Sequence, residues 1–160
     1  MELHKTKIDI AQNKREKIIG ILNQSLADAA DLKSQAKQAH WNVKGPNFIA
    51  LHELFDRVST EVEAHIDEIA ERVTTLGGVA LGTVRLAAEN SSLAEYPHEI
   101  SDGTAHVDAL SSALADFGKK VRKDIDKTDE LGDKDTADIY TGISRNIDKL
   151  LWFVEAHNQA

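Results

Sequence analysis

His52 and Asp56 stand four residues apart in a stretch whose apolar residues recur at helical spacing, so an imidazole and a carboxylate leave the same helix face one turn apart. Asp67 and Glu71 repeat that spacing with two carboxylates. Together with Ser59 and Glu63 they form a polar stripe lying ~100° around the axis from the apolar one. Most charged stripes are merely solvated faces. Here a third group argues otherwise: His40 lies five residues before Gly45, and His52 seven after it. If Gly45-Pro46 turns the chain into an antiparallel hairpin, the two imidazoles stand at similar heights, each within ~8–11 Å of the bend along its axis. A mixed histidine and carboxylate set suits Fe(II), Mn(II) or Zn(II), whereas a chain with no cysteine offers little to copper(I) or an iron–sulfur cluster.

Spacing also limits what one chain can do. Asp56 and Asp67 fall within ~20° of one another on the helical wheel yet ~16 Å apart along the axis, so one ion cannot bind both. Either the chain carries two separate half-sites, or His40, His52 and Asp56 of one subunit meet Asp67 and Glu71 of another. A twofold contact between antiparallel copies of the helix would create the shared arrangement twice, and a shared site is the expectation. A di-iron site within one bundle would need Glu-x-x-His on two helices. Glu95-Tyr96-Pro97-His98 is the sole match, and a proline interrupts it.

The elements that must position these groups are helical throughout, with no convincing period-2 strand. Ile18, Leu22, Leu26, Ala29, Leu32 and Ala36 mark a first helix, from near Asp9 or Asn13 to a stop before Gly45. Pro46 suits the first turn of a second helix, which carries Leu51, Phe55, Val58, Val62, Ile66, Ile69 and Val73 and ends at Gly77-Gly78. Residues 79–98 form a long connection that is expected to pack across the bundle, with a short helix at TVRLAAEN. Ser101 or Asp102 caps a third long helix through Val107, Leu110, Leu114, Phe117, Val121 and Ile125. A fourth runs from about Asp135 to Val154. Four amphipathic helices with one long crossover between the second and third make an all-α, ferritin-like four-helix bundle with a short extra helix. The expectation is a single domain over 1–160, with 1–9 as a flexible tail.

Composition narrows the class. The 160 residues carry 19 basic and 27 acidic side chains, for a net charge of −8. That balance opposes a phosphate-binding surface unless a local basic element is concealed in it. MELHKTKIDI lacks the apolar segment of a secretory signal, and LLWFV at 150–154 is far short of the ~20 residues of a membrane helix, so a soluble, cytoplasmic protein is expected.

KQAHWNVKGPNFIALHELFD at 37–56 and HIDEIAERVTTLGGVALGT at 65–83 closely resemble the Dps family of small ferritin-like proteins. The likeness continues less densely through YP at 96–97, VRK at 121–123 and DTADIYTGISRNIDKLLWFVE at 135–155. The resemblance implies a hollow shell of twelve subunits that oxidises Fe(II), preferentially with hydrogen peroxide, and stores ferric mineral inside, protecting the cell from oxidative damage. It places ferroxidase centres at twofold interfaces. His40, His52 and Asp56 match ligand positions from one subunit, and Asp67 and Glu71 those from its partner. Trp41 matches a tryptophan near the centre, as a radical interceptor or simply an interface anchor. Glu63 and His65 match no ligand position.

Between 124 and 138 stand seven acidic residues against two lysines. The resemblance implies acidic channels at a threefold axis built from this stretch, with Asp138 the best match and Asp133 and Glu130 as further candidates. Rings of three carboxylates would focus cation entry. Capping of the fourth helix by Asp133 or Asp135 is the plainer role. Binding and compaction of DNA is the rival function, since some members of the family bind DNA through a lysine-rich terminal extension. Residues 1–9 carry Lys5 and Lys7 but also Glu2 and Asp9, and HNQA at the other end is not basic, so the charge argues against it.

Overall fold

Gly45 takes a positive φ of 112°, and the Phe48 amide donates to the Gly45 carbonyl at 3.1 Å, closing a tight turn with Pro46 inside it. Pro46 therefore shapes the turn instead of opening the next helix, because its fixed φ serves the second position of such a turn equally well. The computed structural model describes residues 3–159. Its helices are α1 (Gln12–Asn42), α2 (Phe48–Thr75), α3 (Val84–Asn90), α4 (Gly103–Glu130) and α5 (Lys134–Glu155). α1 and α2 form one antiparallel hairpin and α4 and α5 another, joined through α1–α4 and α2–α5 contacts. No strand occurs among the described residues. None of their helices is long and apolar enough to cross a membrane.

The apolar stripes meet in one core, with Leu22, Leu26, Leu32, Phe55, Leu110, Leu114, Phe117, Tyr140 and Ile143 fully buried. Each such side chain contributes on the order of 1.5–3 kcal/mol. Asp102 accepts from the amides of Thr104 and Ala105 and so caps α4; Asp133 accepts from the Thr136 amide and caps α5.

The connection from α2 to α4 is held by a polar face of α1 that sequence alone leaves looking solvated. Asn23 bonds Val79 and Leu81, Gln24 the Asn90 carbonyl, Asp28 the amide and hydroxyl of Ser92, Asp31 the Ser91 hydroxyl, and Gln35 the Ala94 carbonyl. From Gln24 through Asp28 and Asp31 to Gln35 the spacing is three or four, with Asn23 beside them, so one helix face strings the crossover along the bundle. Of the expected tail, residues 1 and 2 lie outside the described residues. His4 donates its amide to the Gly77 carbonyl at 2.8 Å, and Leu3 packs on the core. Gly77 has φ 88°, and a Cβ there would stand 2.6 Å from the His4 carbonyl oxygen.

Candidate metal centre

His40 occupies the last turn of α1 and His52 the second turn of α2, and the tight Gly45 turn brings them face to face. Their rings stack with centroids 3.7 Å apart and planes inclined by 21°. His40 Nδ1 lies 2.7 Å from the His52 carbonyl oxygen, and His52 Nδ1 lies 2.8 Å from the His40 carbonyl oxygen. A carbonyl can only accept, so each Nδ1 carries the hydrogen and donates it. The lone pair of each ring is thereby left on Nε2. Reciprocal bonds fix tautomer and ring orientation together, which is what an outer partner does for a metal-ligating histidine.

Asp56 follows one turn after His52, half-exposed, with its Oδ1 2.5 Å from Lys37 Nζ. The hydrogen bond from Lys37 holds the Asp56 carboxyl below the usual carboxylate range, against a smaller effect of burial, and the charge of Lys37 and the two imidazoles adds to it. The carboxylate is thus anionic and already has a cation, which a metal would displace. Lys37 precedes His40 by three residues and so shares its face of α1; that spacing is visible in the sequence, but its pairing with Asp56 is not. Further along the polar stripe of α2, Ser59 is buried and Glu63 is paired with Lys33. That stretch of the stripe is occupied by the contact with α1.

Asp67 and Glu71 lie beyond it, exposed, with no side-chain hydrogen bond or ion pair among the described residues. No group of three or more His, Asp or Glu side chains converges on a common point among the described residues. The chain brings His40, His52 and Asp56 into one neighbourhood and leaves Asp67 and Glu71 outside it. Trp41, Phe48 and Ile49 flank the histidine pair and are 67%, 43% and 61% exposed. The Phe48 ring centroid is 5.1 Å from that of His52. Large apolar side chains grouped at the surface mark a contact face.

The acidic stretch separates by role. Asp138 and Glu130 are exposed, whereas Asp133 is buried. Arg72 donates to Asp133 Oδ1 at 2.7 Å, and Thr136 donates through its amide at 3.0 Å and its hydroxyl at 2.5 Å. Both oxygens of Asp133 are engaged in starting α5 and tying it to α2. It is therefore a structural carboxylate, and its candidacy as a channel group is withdrawn.

Residues 19–160 match the ferritin-like domain family. The chain is 50% identical over 159 residues to the DNA protection during starvation protein of Agrobacterium fabrum, covering 99% of this chain and 98% of that one. Among solved structures, a Dps of Mycobacterium smegmatis in a tetragonal crystal form superposes with a TM-score of 0.94 at 31% identity, covering 99% of this chain and 96% of that one. DpsA14 of Streptomyces coelicolor gives the same TM-score and identity over 100% and 96%. Sequence and helix order agree: this chain belongs to the Dps family of ferritin-like proteins.

Proposed function

We propose that this protein oxidises Fe(II) at centres shared between two subunits and stores the ferric product inside a hollow shell, a dodecamer, with hydrogen peroxide as the preferred oxidant. The observation that carries the reading is the reciprocal histidine pair, which points two Nε2 lone pairs from one chain while Asp67 and Glu71 stand unpaired and too far away to join them. Fe(II) is the substrate. His40, His52 and Asp56 of one subunit, with Asp67 and Glu71 of its twofold partner, would bind it. Each Nδ1 is held by the opposite backbone carbonyl, so the two Nε2 atoms can meet a metal without rotation of the rings. Carboxylates favour the harder, more highly charged ferric product and so lower the ferric/ferrous potential. Reducing one peroxide with two Fe(II) avoids release of hydroxyl radical, which is the protective value of the reaction. Asp138 and Glu130 are the candidates for an acidic entry route. Rapid mixing of Fe(II) and peroxide with wild type and Asp67→Ala tests the reading: the variant is expected to oxidise and retain iron at least tenfold more slowly, and equal rates with equal retention would sink it.

A second reading, binding of DNA, has one observation in its favour. Lys17, Lys120, Lys123 and Lys127 line an open groove of about 950 Å³ between α1 and α4, though Asp28, Asp124 and Glu130 line it too. A gel shift at low salt, with Lys17→Glu/Lys123→Glu as the comparison, decides it. A steeply salt-dependent complex lost in the variant supports this reading, and no shift at any salt rejects it.

A further inference from the structure

Tyr96 and His106 form a buried pair that the proposed iron chemistry does not use. Tyr96 is 8% exposed and His106 1% exposed, and the phenol oxygen lies 2.7 Å from His106 Nδ1. His106 Nε2 makes no hydrogen bond of good geometry. Burial holds the imidazole below the usual histidine range, while the Asp102 carboxylate and the carbonyls of Ile100 and Asn42 favour a charged ring. Those surroundings only accept, so the ring hydrogen belongs on Nε2 and the Nδ1 lone pair receives the phenol O–H. The hydrogen bond therefore gives a path for a proton from Tyr96 to His106 Nδ1, where a carboxylate and two carbonyls offset part of the burial cost of the imidazolium. Burial also pushes the Tyr96 phenol well above its usual range, so it does not ionise by itself near neutral pH.

The pair is linked to the helices that carry His40 and His52 through Phe55 and Asn42. His106 and Phe55 have ring centroids 6.4 Å apart, and Phe55 precedes Asp56 and follows His52 by three residues on α2. Asn42 is two residues beyond His40, and the Lys44 amide donates to the Ser101 carbonyl at 2.8 Å, tying the α1–α2 turn to the start of α4. The other tyrosine, Tyr140, is differently placed: its hydroxyl meets the Ser25 hydroxyl at 2.9 Å, not a base.

We propose that Tyr96 and His106 act as a proton-coupled electron relay for the centre, an inference that rests on the iron-oxidising reading above. Its task arises when a single Fe(II) meets peroxide and yields ferric iron, hydroxide and a hydroxyl radical. Tyr96 gives one electron to that radical, making a second hydroxide; its O–H bond breaks, the proton passes to His106 Nδ1, and a phenoxyl radical remains. A second Fe(II) returns the electron and His106 returns the proton. The sum is one peroxide reduced to two hydroxides by two Fe(II), although the two irons need not be present together.

Two oxidants separate this relay from the function it serves. With substoichiometric Fe(II) and peroxide, freeze-quench electron paramagnetic resonance is expected to show a tyrosyl radical in wild type, Tyr140→Phe and Trp41→Phe, and none in Tyr96→Phe. With photogenerated ruthenium(III) tris-bipyridyl and no iron, Tyr96 oxidation should be slower in D₂O and about a hundredfold slower in His106→Gln, which can accept the phenol hydrogen bond but not the proton. The wild-type isotope effect stands even if His106→Gln folds poorly. Normal iron oxidation with the radical on Trp41 or Tyr140, or with none, overturns the relay alone; so does Tyr96 oxidation indifferent to both D₂O and His106→Gln. Absence of Fe(II) oxidation overturns the functional reading and the relay's task with it.

Discussion

Lys37 and Asp56 show how one contact both keeps a candidate ligand anionic and opposes its use. The Lys37 ammonium holds Asp56 anionic, so the carboxylate needs no deprotonation, but a metal must break the pair. Half-exposed pairs of this sort are worth about 0.2–1 kcal/mol. Lys37→Met should therefore tighten binding of Co(II), a spectroscopic stand-in for Fe(II), by up to about fivefold, as read by titration of its visible bands; weaker binding would mean that Lys37 positions Asp56 more than it blocks it. The pH dependence has a definite sign. Asp56 is depressed below its ordinary value of 3.8, so the stabilising pair is fully present above that value and is lost as pH falls through the lower, folded one. The difference in affinity between Lys37→Met and wild type should thus persist at mildly acid pH, where Asp56 is still charged. The approach of His40 to His52 and Asp56 was legible because residue type, helical spacing and the Gly45-Pro46 turn carry that information. The mutual Nδ1 bonds of His40 and His52 were not, since they depend on how tightly the Gly45 turn closes, and only backbone geometry records that.

At the scale of elements, Asp133 and Asp138 make opposite predictions from similar sequence surroundings. Asp133 starts α5 and, through Arg72, fastens it to α2. Removing one partner of a buried pair costs about 3–5 kcal/mol, so Asp133→Ala should lower the melting temperature by roughly 6–20 °C at the usual 2–4 °C per kcal/mol for a chain of this size. Asp138→Asn should leave melting unchanged and slow iron uptake by the assembled protein; differential scanning calorimetry beside stopped-flow uptake checks both. Periodicity and local residue type revealed the four long helices, the short α3 and the caps, with Asp102 taking the place offered to Ser101 or Asp102 and Asp133 that offered to Asp133 or Asp135. It could not distinguish Asp133 from its acidic neighbours, since burial depends on Arg72, 61 residues away. The polar face of α1 was hidden for the same reason: Asp28 reads as solvated until the crossover is laid on it. Gly77 belongs to this scale as well. Its left-handed φ and the His4 carbonyl 2.6 Å from a would-be Cβ make Gly77→Ala destabilising by about 1–3 kcal/mol, measurable by chemical denaturation.

For the whole molecule, the decisive question is whether the five candidate ligands act within one chain or across two. The ~16 Å between Asp56 and Asp67 along α2 prevents a common ion within the chain, and the exposed Trp41, Phe48 and Ile49 beside the histidines supply a face on which a second copy could sit. A twofold dimer would then hold two sites, each with histidines from one subunit and carboxylates from the other. Subunit complementation exposes this arrangement directly. His40→Ala/His52→Ala and Asp67→Ala/Glu71→Ala proteins should each be inactive, but a mixed dimer of the two contains one site with every defect and one with none. Random reassociation of equal amounts makes half the dimers mixed, so about a quarter of wild-type sites should return, visible as Fe(II) oxidation and as metal bound per subunit. Two independent half-sites within each chain would instead give nothing beyond the sum of the parents. Ile49→Glu should abolish the recovery in the mixture without touching a ligand, because a buried unpaired charge prevents the two surfaces from meeting. Recovery that survives Ile49→Glu would mean that the copies meet on some other face and that the apolar cluster around His52 has a different partner.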